Sequence, residues 1–141
     1  METKKWYEVK IRFEKLDESG VEKKVTESYV VAAESFGDAE ERAVENLSTY
    51  VSGELQVVGI TPLKIQESLV GSERFSRFYK VVLSYVWIDE KSGKEKKRRM
   101  QYLVNAPSFD SCKDLIRKYM ELCMIDYQIV SVSETKYMDV V

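Results

Sequence analysis

The chain repeats itself, and a repeat constrains architecture before any single element is assigned. Trp6-Tyr7-Glu8-Val9-Lys10-Ile11-Arg12-Phe13 falls on Phe78-Tyr79-Lys80-Val81-Val82-Leu83-Ser84-Tyr85 at an offset of 72, with aromatic and aliphatic positions coinciding. Asp17 to Lys24 then answers Asp89 to Lys97, with one residue added in the second copy. At the resulting offset of 73, Tyr29, Val31, Ala33, Ser35 and Phe36 fall on the identical residues Tyr102, Val104, Ala106, Ser108 and Phe109. Glu54 to Ile60 matches Asp126 to Val132 back at an offset of 72, so the second helical region is one residue shorter. The sequence therefore predicts one domain, 1–141, holding a first repeat at 6–65, a linker at 66–77 and a second repeat at 78–137.

Each copy reads as strand, strand, helix, strand. Tyr7, Val9, Ile11 and Phe13 alternate with Glu8, Lys10, Arg12 and Glu14, the period of two of a sheet with one dry and one wet face. Ser19-Gly20 and Ser92-Gly93 stand where the chain must reverse, glycine supplying a positive φ. The return strands run from Val25 to Ala32 and from Arg98 to Asn105. Ser35, with Asp38 three residues on, and Ser108 after Pro107 are predicted helix N-caps. Ala39, Ala43, Leu47 and Tyr50, and in the second copy Cys112, Leu115 or Ile116, Tyr119 and Cys123, recur at helical spacing.

The predicted fold is α+β: two tandem strand-strand-helix-strand repeats related by a pseudo-twofold axis, with about six strands and two helices. The third strand of each copy is placed beside the first. The predicted core comprises Tyr7, Val9, Ile11, Phe13, Tyr29, Val31, Phe36, Ala39, Ala43 and Leu47. Its counterparts are Tyr79, Val81, Leu83, Tyr85, Tyr102, Val104, Phe109, Cys112 and Ile116. Trp6 and Phe78 stand on the opposite strand parity and are expected to cover a sheet edge or contact a partner.

Function is constrained chiefly by exclusion. The chain has no histidine, which removes the commonest general base at neutral pH, the commonest zinc ligand and the usual triads. No phosphate-cradling glycine loop and no nucleophile elbow occurs. The pairs Asp17-Glu18 and Asp89-Glu90 put adjacent carboxylates on opposite strand faces, so turn and surface roles are favoured over a cation site. We therefore expect no enzymatic activity, no cofactor and no metal. Cys112 and Cys123, 11 residues apart in one predicted helix and so separated by roughly 16 Å along it, are expected to be buried reduced thiols. The charged start, Met1 to Lys5, and the lack of any run of about 18 apolar residues point to a cytoplasmic protein with no membrane partner.

Two surfaces are candidates for binding. The outward face of the first strand is Glu8, Lys10, Arg12 and Glu14 in copy 1, whereas the matching face of copy 2 offers Val82, Val86 and Ile88. Such an apolar surface calls for a cover: a second copy, a protein partner, or Leu69, Val70 and Phe75 of the linker folding back. The segment Lys91 to Arg99 carries Lys94, Lys96, Lys97, Arg98 and Arg99 against one acid, Glu95, and is the candidate nucleic-acid contact. The formal net charge of -2 lends that alternative no global support.

Trp6 to Lys10, Val25 to Val31, Tyr50 to Glu54, Asp89 to Glu95 and Met124 to Tyr127 together resemble an uncharacterised family. It is a DUF4494-like group of short proteins from Bacteroides-type bacteria and their phages and mobile elements. The resemblance implies such a setting and carries over no catalytic residue. The leading expectation is a non-enzymatic binding or assembly protein; the alternative is a nucleic-acid-binding accessory protein using the basic hairpin.

Overall fold

Period-two alternation builds the sheets. The computed structural model describes residues 4–51 and 53–141; Met1 to Thr3, which enter the reading of the N-terminus, and Ser52 lie outside the described residues. In chain order the elements are β1 (Lys5–Leu16), β2 (Glu22–Ala33), α1 (Phe36–Leu47), β3 (Gln56–Leu63), β4 (Glu67–Leu69), β5 (Phe78–Ile88), β6 (Glu95–Asn105), α2 (Phe109–Glu121), β7 (Asp126–Glu134) and β8 (Tyr137–Val140). The fold is α+β, with two helices and eight strands in two four-stranded sheets among the described residues. The contacts divide the chain into two units, one made of the chain up to Lys64 with Lys136–Val141 and the other of Ile65–Thr135.

In the first unit the strand order is β3-β1-β2-β8. Strands β1 and β2 form an antiparallel hairpin, β3 pairs antiparallel with β1, and β8 lies parallel to β2. Tyr7, Val9, Ile11, Val31 and Ala33 meet Ala39, Ala43 and Leu47 of α1 in one buried cluster. The cap forms as predicted: Ser35 Oγ accepts from Asp38 N at 3.1 Å, and the Asp38 carboxylate accepts from Glu34 N at 3.0 Å.

In the second unit the order is β4-β6-β5-β7, with β4 parallel to β6 and the other pairs antiparallel. Tyr79, Val81, Leu83, Tyr102, Val104, Cys112, Ile116 and Met120 form its core. Ser108 Oγ accepts from Ser111 N at 3.2 Å and starts α2. As expected, β3 lies beside β1 and β7 beside β5.

Several expectations are corrected. Eight strands replace about six, because β4 forms inside the stretch read as linker and β8 forms beyond it at the C-terminus. Strands this short show no alternation long enough to recognise. Phe36 and Phe109 are 52% and 47% exposed rather than core. Each is the first residue of its helix and lays its ring on a buried tyrosine, Phe36 on Tyr7 at 5.1 Å and Phe109 on Tyr79 at 4.8 Å. Phe78 is fully buried, while Phe13, Tyr29 and Tyr85 are half-buried. Cys123 lies past the end of α2 and is half-buried; Cys112 is buried, and burial pushes its thiol up to about 11.

Candidate binding surface

The β5-β6 hairpin carries both groups of candidate residues, and its turn is held by local chemistry. Asp89 N donates to Lys94 O at 2.9 Å and Gly93 N to Asp89 O at 2.7 Å, with Gly93 at φ 67°. The Asp89 carboxylate accepts from Lys91 N and Ser92 Oγ. In the first unit Asp17 does the same work, accepting from Ser19 N, Ser19 Oγ and Val21 N. The Ser19 hydroxyl, with the Val21 amide next, holds the Asp17 carboxyl below its usual range. Both aspartates are thus occupied as turn acceptors, and no group of three or more metal-ligating side chains occurs among the described residues.

Strand alternation sorts the basic residues. Tyr85 pairs with Arg98 and Trp87 with Lys96, on the face turned to α2; Val86 pairs with Lys97 and Ser84 with Arg99, on the opposite face. Lys94, Lys96, Lys97, Arg98 and Arg99 are all exposed, and none forms an ion pair among the described residues. Lys96, Lys97, Arg98 and Arg99 are brought onto one strand but not onto one face, and Lys94 stands in the turn before that strand.

The apolar candidates separate along β5. Val82 and Val86 are half-buried, and Ile88 is 69% exposed. Ile88 belongs to a larger exposed group that the strand pattern alone does not reveal. With Val86, Trp87, Met124 and Ile125, and with Glu95 and Asp126 at its rim, it lines a shallow hollow of about 580 Å³. Trp87, Ile125 and the adjoining Leu122 are also exposed.

A fixed turn presents Met124. Below it, the Tyr85 and Tyr102 hydroxyls are hydrogen-bonded, Tyr85 lies against Met120 Sδ, and Tyr119 stands edge-on to Tyr102 at 5.6 Å. Burial, then the hydrogen bond to Tyr85, pushes the Tyr102 hydroxyl far up and keeps it neutral. This cluster ties the end of α2 to the sheet. After it, Leu122 N donates to Tyr119 O and Cys123 N to Met120 O, and Met124 takes a φ of 50°. Left-handed backbone is costly for a residue with a Cβ, and the Met124 side chain is 94% exposed, so little packing repays it. Sequence reading passed over Met124 and Ile125; the available signal was two large apolar residues directly after the helical stripe ends.

A second hollow of the same unit, about 610 Å³, is lined by Leu69, Val70, Phe75, Leu115 and Tyr119, with Glu67 and Glu73. Its loop is pinned by buried Asn105, whose carboxamide accepts from Phe75 N at 2.9 Å and donates to Phe75 O and Arg77 O at 2.7 and 3.0 Å.

The chain belongs to the DUF4494 family, a domain of unknown function whose family model matches residues 5–141. No curated protein and no solved structure matches the chain. No helix among the described residues of this DUF4494 chain is long and apolar enough to cross a membrane.

Proposed function

We propose that this chain is a non-enzymatic binding or assembly protein, built from a duplicated unit and acting in the cytoplasm of a bacterium carrying mobile or prophage elements. The setting rests on the resemblance, and the compartment on the two free cysteines. The duplication is supported by matched irregularities as well as by sequence. Val58 and Val130 are the extra residues where register shifts in β3 and β7, 72 residues apart, and Ser35 and Ser108 cap the two helices alike.

The observation that carries the binding role is Met124, a large apolar side chain held in left-handed backbone and turned to water beside Trp87, Ile88 and Ile125. Strain and exposure at one position favour a role in recognition. The test is peptide display selected on the whole chain alone, with the selected peptides then measured on Met124→Gly. Glycine relieves the backbone, so the variant should unfold about 2–4 °C higher while losing the selected peptides. Peptides that bind both proteins equally would overturn the assignment.

A second reading is favoured by the exposed cations Lys94, Lys96, Lys97, Arg98 and Arg99, none of which forms an ion pair among the described residues, with Lys96 paired opposite Trp87: contact with nucleic acid. Labelled single-stranded DNA or RNA should then bind with a steep salt dependence, lost on changing Lys96, Lys97, Arg98 and Arg99 to Glu. Absence of salt-sensitive binding at low ionic strength removes this reading.

A further inference from the structure

The outer edge of β6 is only partly used. Gln66 N donates to Gln101 O at 2.7 Å, and β4 pairs in parallel with Tyr102, Leu103 and Val104. Toward the hairpin turn no strand pairs with that edge over Glu95–Met100 among the described residues. The amide and carbonyl of one strand residue point to the same edge, and the direction alternates along the strand. Since the Gln101 carbonyl faces β4, the backbone groups of Arg99, Lys97 and Glu95 face the open edge, while those of Lys96 and Arg98 face β5. Side chains alternate between the two sheet faces with the same period, so Lys96 and Arg98 flank the edge on one face and Lys97 and Arg99 on the other.

Resting on the reading of this end as a binding surface, we propose that β6 accepts an extended acidic segment of a partner protein as an added strand at Lys97 and Arg99. Two observations select that occupant. The edge already carries an extended segment, β4, a few residues along the same strand, so its twist and spacing suit strand pairing. Four exposed basic residues, Lys96 to Arg99, repel a like strand, which guards the edge against self-pairing, and attract carboxylates from both faces. A segment alternating acidic and β-branched residues satisfies the open backbone groups and sets its carboxylates against the pair of cations on one face.

The experiment uses the whole chain and a capped heptapeptide alternating glutamate with valine, read by amide hydrogen exchange. At saturation the amides of Lys97 and Arg99 should exchange at least about tenfold more slowly, with Lys96 and Arg98, already bonded to β5, unchanged. The same peptide with a central proline, or with lysine for glutamate, should not bind. Lys97→Pro removes an amide that β5 does not use, so the fold should survive while peptide binding is lost; Lys97→Gln, which keeps the amide, should retain most of it. Peptide bound at Met124 and Trp87 with the Lys97 and Arg99 amides still exchanging freely overturns strand addition and leaves the binding surface standing. Binding kept in Lys97→Pro, or amide protection produced equally by an oligothymidine of matched charge, also overturns it. Failure of display-selected peptides to distinguish Met124→Gly sinks the underlying reading instead.

Discussion

The Asn105 carboxamide shows how much a single buried polar group can organise. It satisfies three backbone groups of a loop about 30 residues earlier, and Ala32 holds the matching position in the first unit. Asn105→Ala strands those groups and should cost about 2–4 kcal/mol, measured by urea unfolding; a loss below about 1 kcal/mol would mean that water replaces the side chain. Tyr29 makes a prediction about pH. Burial, with Glu27 beside it, pushes its hydroxyl up to about 12, and its proton is donated to Glu27 Oε1 at 3.2 Å. The unfolded phenol titrates near 10, so the folded chain holds the proton more tightly between about pH 10 and 12. Its contribution is full below about pH 10 and is lost as pH rises through about 12. Urea midpoints of Tyr29→Phe should therefore fall less steeply than wild type across that window, and parallel curves would assign the alkaline loss to other tyrosines. Neither role is legible in sequence, where Asn105 ends a strand and Tyr29 is one more inward aromatic.

Elements are legible where a pattern lasts long enough to exceed chance. The hairpins, the helices and their serine caps follow from eight or more residues of alternation or helical stripe joined to a known turn chemistry. Strands β4 and β8 span three and four residues and contain Glu67 and Asp139, so nothing local marks them. Their partners decide them: β4 lies on Tyr102 to Val104, and β8 pairs at Ser28 and Val30 of β2. The candidate surface divides the same way, since the basic run of β6 stands out in sequence while the turn that exposes Met124 depends on tertiary support. Ser108 offers the element-scale test. It is half-buried and caps α2, the helix that carries the tyrosine cluster, so Ser108→Ala should cost about 1 kcal/mol and shift the urea midpoint without changing the slope. A changed slope would show that the residue acts on more than its helix end.

At the scale of the molecule, the last strand of the sequence belongs to the first unit. Val141 N donates to Val30 O at 2.8 Å, Val141 packs on the cluster of Val9 and Ala43, and Lys136 Nζ lies 3.5 Å from the buried Oε2 of Glu8. The buried core of the second unit, from Tyr79 to Met120, includes none of these residues. Ending the chain at Thr135 therefore opens the β2 edge, removes apolar cover and leaves the Glu8 carboxylate without its cation. The cost to the first unit should be on the order of 3 kcal/mol, and the second unit should be spared. Amide exchange separates the two effects: protection at Tyr7, Val9, Ile11 and Val31 should fall steeply while that at Val81, Leu83 and Val104 holds. Equal loss at both sets would mean that the two cores open together as one cooperative unit, and the chain's C-terminus would then govern the stability of the binding surface as well as of the sheet it completes.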